Sequence, residues 1–336
     1  MFNTRRSRHD HAAAWLAARD DSELVSLLHD APVGAVGVGG SSTVLDIDGV
    51  PVFAKRIPVT DRELANPHST ANLFDLPTYC QYGMHRIAGP GFGAWRELAA
   101  NKVVTEAVLG GETESFPLLH HWRLLPGRPS TAPEHLDIDV VVTYFGGDPA
   151  VRIRFEQLAR AESSLVLFQE FIPRPMFDWL ADPTENAAKV ERHLFEIVAF
   201  LRSRDLLHMD GHFGNMRADE NQIYLADFGL ATSSRFDLSD AERAIVAQHV
   251  DHDADYAAMR LVNWLVVAAC GVPLPAAGGY VERDEYVRRC AVGDIPQGVP
   301  TNVADILSRH APTAARMNDF HWKLFDGDIH ATYTSS

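Results

Sequence analysis

The sequence predicts an α+β chain in two parts, a small antiparallel sheet followed by a larger, mainly helical carboxy-terminal half. Three observations carry this. Gly34, Gly37, Gly39 and Gly40 lead into a β-rich run at 44–47, a turn at Asp48 and Gly49, and a second run at 50–57. Asp-Gly between two such runs marks a hairpin. Two more apolar runs, at 117–125 and 165–172, read as strands, and from residue 184 onward the pattern is mostly helical, broken by a short strand pair at about 215–225.

In chain order, residues 1–31 form a helical extension, with Asp20, Asp21 and Ser22 placed to cap a helix through Glu23, Leu24, Leu27 and Leu28. Residues 32–172 hold the sheet, and two insertions interrupt it: 58–93, rich in Pro, Asn, Gly and Thr, and 126–163, with a helical stretch near 150–161. A helix is expected over 94–109, between the first insertion and the 117–125 strand. Residues 173–336 form the helical part.

At 336 residues with 46% hydrophobic and 22% charged side chains, the chain has globular composition and enough core for two lobes. The longest apolar stretch, 261–272, is broken by Asn263 and Gly271 and is too short for a membrane span. The basic start at Arg5, Arg6 and Arg8 lacks the apolar segment of a signal peptide, so the cytoplasm is expected. Cys80, Cys270 and Cys290 give neither a disulfide framework nor a zinc site. A net charge of −15 argues against a nucleic-acid partner and fits either a cationic ligand or plain surface solvation. His249, Asp251, His252 and Asp253 cluster, as do His120 and His121, without the spacing of a closed metal site.

The chemistry is concentrated in His208-Met209-Asp210-Gly211-His212-Phe213-Gly214-Asn215, followed after twelve residues by Asp227-Phe228-Gly229. Phosphoryl transfer needs a carboxylate that orients or deprotonates the attacking hydroxyl, and oxygen ligands that hold Mg²⁺ against the phosphates. Asp210 suits the first role; Asn215 and Asp227 suit the second. These residues resemble the protein-kinase superfamily, whose H-x-D-x-x-x-x-N and D-F-G patterns are both complete here. The resemblance covers about residues 33–272 and implies a two-lobed protein-kinase-like fold using ATP and Mg²⁺.

On that resemblance, Asp210 and His208 belong to the catalytic loop, and Asn215 and Asp227 hold the metal. The loop bearing Gly37, Gly39, Gly40, Ser41, Ser42 and Val44 covers the phosphates, with Ser42 standing where the family has a third glycine. The same glycines would suit a dinucleotide fold only if they opened a helix, and a hairpin follows instead. Lys55, ending Val52-Phe53-Ala54-Lys55, pairs with the α- and β-phosphates and needs a helical glutamate. Glu97 lies on a stripe with Asn101, Val104 and Val108, whereas Glu106 stands nearer the usual distance from the next strand; periodicity favours Glu97. Gln169 resembles the gatekeeper, and the backbone of Glu170 and Ile172 would take the adenine edge. Asp255 resembles the aspartate that opens the next large helix and braces the catalytic loop.

Three departures bear on the acceptor. Met209 replaces the arginine that receives an activating phosphate in regulated protein kinases. No A-P-E follows D-F-G, and Asp227 and Asp255 are only 28 residues apart. His212 resembles the aminoglycoside and choline phosphotransferase branch, while D-F-G-L-A resembles the protein-kinase branch. The expectation is an ATP-dependent kinase acting on a hydroxyl-bearing, cationic small molecule. A Ser/Thr kinase of a protein or biosynthetic peptide, and a nucleotide-gated pseudokinase module, are the alternatives.

Overall fold

The computed structural model describes residues 4–32, 34, 36–37, 40–273 and 280–334. Gly39 of the glycine loop lies outside the described residues. In chain order the elements begin with helices α1 (Arg5–Ala17) and α2 (Asp21–Asp30) and strands β1 (Val36–Gly37), β2 (Gly40–Ile47) and β3 (Val50–Val59). A short helix α3 (Asp61–Leu64), helix α4 (Ala94–Leu109) and strand β4 (Leu119–Pro126) follow. Then come helices α5 (Ile138–Tyr144) and α6 (Pro149–Arg160) and strand β5 (Ser163–Glu170). The helical half holds β6 (Arg174–Pro175), α7 (Phe177–Leu180), α8 (Pro183–Ser203), β7 (Leu206–Leu207), β8 (Met216–Ala218), β9 (Ile223–Leu225), β10 (Thr232–Ser233), α9 (Asp240–Gln248), α10 (His252–Ala268), α11 (Val281–Ala291) and α12 (Thr301–Phe325).

The result is α+β, with a five-stranded sheet in the order β1-β2-β3-β5-β4 whose neighbours are all antiparallel. Asp48 and Gly49 both take positive φ, 50° and 83°, as a two-residue hairpin turn matched to strand twist requires. Ser42 consequently faces Lys55 across the β2–β3 ladder.

The amino-terminal extension shares the sheet's core. Asp20 caps α2 in a reciprocal capping box with Glu23. Ala12 and Leu16 of α1 and Leu24 and Leu28 of α2 bury with Leu45, Val52, Ala54 and Phe168 on one face of the sheet. On the other face, α4 packs Trp95 and Leu98 against Ile57, Leu165 and Leu167.

The two insertions, read separately from the sequence, form one unit. Phe74, Leu76, Cys80 and Phe92 of the first pack with Val141, Phe145, Val151 and Phe155 of the second. Beside them the fully buried Arg154 of α6 pairs with Glu63 of α3 at 2.8 Å. An isolated buried charge is costly, so each of these two requires the other.

The largest core lies between α8, α10 and α12 and reaches Ala100 and Val104 of α4, with Phe228 buried among them. Among the described residues no helix is long and apolar enough to cross a membrane.

Candidate active site

A cavity of about 770 Å³ runs between the sheet and the helical half, and its lining collects most of the residues singled out above. Gly40, Ser41, Ser42, Val44, Lys55, Glu97, Gln169, Glu170, Ile172, Asp210, Asn215 and Asp227 all border it. Gly37 pairs with Gly40 where β1 turns into β2. Gly40 has φ of 121°, and a Cβ there would stand 1.8 Å from the Arg56 carbonyl, so only glycine fits.

At the cavity's centre, Lys55 Nζ lies 2.7 Å from Glu97 Oε1 and 2.7 Å from Asp227 Oδ1. Glu106 is exposed, so periodicity selected the right glutamate. Burial works against the Lys55 charge, but Asp227 and Glu97 outweigh it and hold the ammonium above its ordinary range. Burial likewise opposes the Asp227 charge, and Lys55 more than compensates, keeping that carboxyl below the usual range. Glu97 is pushed upward by burial, with Lys55 pulling it back.

Asp210 follows Met209, which takes a positive φ of 67°. Asn215 Nδ2 donates to the Asp210 carbonyl at 2.9 Å and to Oδ2 at 3.2 Å. Oδ1 is buried without a hydrogen-bond partner among the described residues. Burial, reinforced by the Asp227 charge, raises the Asp210 carboxyl well above its ordinary value. His212 accepts from Gly214 N–H through Nδ1 at 3.0 Å, leaving the proton on Nε2, which stands 3.7 Å from Asp210 Oδ2. Burial and then Arg260 push His212 down to about 4, so it is neutral near pH 7.

His208 is buried and holds the loop instead of facing the cavity. Its Nε2 bonds the Ala226 carbonyl at 3.0 Å, and Nδ1 accepts the Asp210 N–H at 3.3 Å. It links the Asp210 loop to the residue preceding Asp227, and burial lowers its pKa, consistent with a neutral ring. Its place is therefore that of a positioning residue.

The expected brace from Asp255 is corrected. Asp253 Oδ2 and Oδ1 accept the N–H groups of His208 and Met209 at 2.6 and 3.0 Å, whereas Asp255 bonds the Tyr333 hydroxyl. Because α10 begins at His252, two residues of helix turn Asp255 about 200° away from the loop. The sequence held both aspartates; only the helix start could choose between them.

The segment 169–172, which the resemblance leads one to expect as a hinge taking the adenine edge, is more occupied than expected. Glu170 N–H donates to the Leu118 carbonyl at 2.7 Å, and the Ile172 carbonyl accepts from Arg217 Nε at 3.1 Å. The Ile172 N–H donates to no group among the described residues. Gln169 is buried and donates to Asn101 Oδ1 at 2.6 Å, joining the hinge strand to α4. The Glu170 carboxylate is held by Arg5 of α1, whose Nε donates to its two oxygens at 3.0 and 2.7 Å. Arg5 also reaches the Phe116 carbonyl and lies over the Tyr224 ring at 5.2 Å, an anchor that nothing in the motifs foretold.

The remaining wall comes from the first insertion. Gly83, Ala88, Gly89, Pro90 and Gly91 border the cavity, joined by Leu158 of α6. Gly83 is so close that a Cβ there would stand 2.1 Å from Asp210 Oδ1.

For a metal, the free acceptor of Asn215 is Oδ1, since Nδ2 serves Asp210; the Asp227 side chain is 42 % exposed, with Oδ1 on Lys55. Two hard oxygen donors beside a cavity fit a cation that completes its shell with phosphates and water. No group of three or more His, Cys, Asp or Glu that could hold a metal occurs among the described residues. No protein-family model matches this chain, and no curated protein matches it.

Proposed function

We propose that this chain is an ATP- and Mg²⁺-dependent phosphotransferase with a two-lobed protein-kinase-like fold, moving the γ-phosphoryl group to the hydroxyl of a small molecule. The observation that carries the reading is the Lys55 ammonium, 2.7 Å from both Glu97 and Asp227, at the centre of a cavity that Asp210 and Asn215 also border. Lys55 and Glu97 are buried, and charges at that depth are costly unless each has a partner. An electrostatic cluster of this kind beside a cavity supports the reading of a functional site.

Mg²⁺ would screen the phosphate charge in the transition state. Lys55, fixed by Glu97, would hold the α- and β-phosphates, and Ser41 and Ser42 on β2 lie at the cavity where backbone N–H groups can meet them. Ile172 N–H would donate to the base of the nucleotide. Asp210 would orient the acceptor hydroxyl and take its proton as the oxygen attacks the γ-phosphorus. The bond from that phosphorus to the β-phosphate bridging oxygen breaks, and ADP departs. The raised Asp210 pKa suits a group that must accept a proton and return it to solvent.

The test is binding of ATP with Mg²⁺ followed by transfer of labelled phosphate. Lys55→Met should abolish transfer while leaving the helical half folded by circular dichroism. Wild-type protein that fails to bind ATP would refute the reading.

A further inference from the structure

The first insertion is bolted to the helical half. Gln81 Nε2 donates to the Leu230 carbonyl at 2.5 Å, the Tyr82 hydroxyl bonds His249 Nε2 at 2.7 Å, and Gly83 N–H donates to the Met209 carbonyl at 3.4 Å. Tyr82 and Met84 are buried in the largest core, with 3% and 2% exposure. A loop fixed by core side chains is part of the folded body, and lifting it would expose the apolar surface those side chains bury.

Residues 81–91 thus form a strap across the side of Asp210. Its Gly83 seals Oδ1, so an acceptor reaches this carboxylate only from the side of Oδ2. The strap residues bordering the cavity are Gly83, Ala88, Gly89, Pro90 and Gly91, and none is charged. The neighbouring Leu158 and Leu230 are apolar. Arg154, which lines the cavity on this side, is committed to Glu63 at 2.8 Å. The acidic net charge of −15 is therefore not expressed on this wall: among the described residues of the lining, the carboxylates are Glu97 and Asp227 on Lys55, Glu170 on Arg5, and Asp210 itself.

We infer that the space on the Oδ2 side of Asp210, walled by strap residues 88–91, is the acceptor subsite, and that it takes a small uncharged alcohol, excluding polypeptide segments and cationic alcohols. The inference rests on the phosphotransfer reading. An extended chain needs an open groove across the carboxylate that receives the acceptor's proton, and the strap occupies that position. A cation would need an unpaired carboxylate to offset its desolvation, and the wall offers none besides Asp210. A Gly, Ala and Pro wall leaves room for the acceptor body and brings no charged side chain to it, the polar side chains beside it being Asp210 and His212 with its Nε2 proton.

The experiment gives the full chain γ-labelled ATP and Mg²⁺ with three acceptor sets: uncharged alcohols and polyols, amino alcohols including aminoglycosides, and Ser/Thr polypeptides with casein. ATP binding is measured in parallel. The expected result is label in the uncharged set. Ala88→Trp, which fills the strap side, should lower kcat/KM for that acceptor by about tenfold or more at unchanged ATP affinity. Leu158→Trp, from the other insertion, makes the same test should Ala88→Trp fail to fold. Label on polypeptide or on amino alcohols overturns the inference while the phosphotransfer reading stands. So does transfer to uncharged alcohols that neither variant affects, and so does ATP binding without transfer to any of them. Absence of ATP binding removes the phosphotransfer reading and this inference together.

Discussion

On one side of the cavity, charges pair across short distances: Lys55 with Glu97 and Asp227, and Glu170 with Arg5. On the other side, Gly83, Ala88, Gly89, Pro90 and Gly91 present backbone and little else. The charged side is held by electrostatic partners, each dependent on another named residue. The neutral side is held from behind, by Tyr82 and Met84 anchored in the helical core. The first mode of construction needs particular side chains in the lining, and the second needs their absence there. A substitution on the charged side should therefore act through affinity and charge, and one on the neutral side through shape.

Asp210 stands where the two sides meet, and Asp210→Asn should have the largest effect. Turnover should fall about 10²–10⁴-fold with ATP affinity nearly unchanged, as single-turnover kinetics and equilibrium binding would show. Full turnover by this variant would remove Asp210 from the reaction. Next in size is Gly83→Ala. Its methyl, 2.1 Å from Oδ1 before relaxation, must displace the carboxylate. A misplacement on the scale of 1 Å costs about 10²-fold in rate. Turnover should drop while nucleotide affinity holds; a loss confined to nucleotide affinity would erase the distinction between the two sides.

The third test compares two aspartates of α10. Asp253→Ala leaves the buried His208 and Met209 N–H groups without acceptors, at about 1–3 kcal/mol each. Asp255→Ala loses one bond to Tyr333. Thermal melts should show the larger drop for Asp253→Ala, together with loss of turnover; equal drops would mean that the brace contributes nothing particular.

Arg5→Ala should be milder. Freed from its guanidinium, Glu170 loosens the hinge, so KM for ATP should rise with kcat little changed, and Arg5→Lys should restore it only in part because an ammonium lacks the planar fork. An unchanged KM for ATP would make α1 a structural cover only.

The smallest effect concerns pH. Burial and Asp227 raise the folded-state pKa of Asp210 above its unfolded value, so the fold loses stability as pH rises from the unfolded pKa through the folded one. Asp210→Asn removes that loss. It should melt at or above the wild-type temperature near pH 8, with the gap closing as the solution is acidified below the unfolded carboxyl range. A gap that widens on acidification would contradict the buried-carboxylate picture.

These contrasts also explain what could be read from sequence. The charged side was legible because the phosphotransfer chemistry proposed for it demands particular residue types at fixed separations, and Glu97 was separable from Glu106 because helical periodicity is strict. The α4 bounds, the hairpin turn and the α2 cap followed from equally local rules. The strap was not legible: glycines and prolines in 58–93 signal irregular backbone without saying what it covers. Arg5 looked like one basic residue among three, and its partner Glu170 lies 165 positions away. Asp253 was missed because a two-residue uncertainty along a helix, about 200°, exchanges one face for another.

Arg96 adds a mechanical consequence. It precedes Glu97 on α4, is buried, and bonds Glu242 of α9 at 2.6 Å and the Thr70 carbonyl at 2.6 Å. Breaking a buried ion pair of this kind costs about 3–5 kcal/mol. Rotation of α4 that would draw Glu97 away from Lys55 must first tear Arg96 out of the opposite half of the molecule. The helix is a strut, and the Lys55–Glu97 contact at one end of it shares its restraint with the Arg96–Glu242 pair beside it.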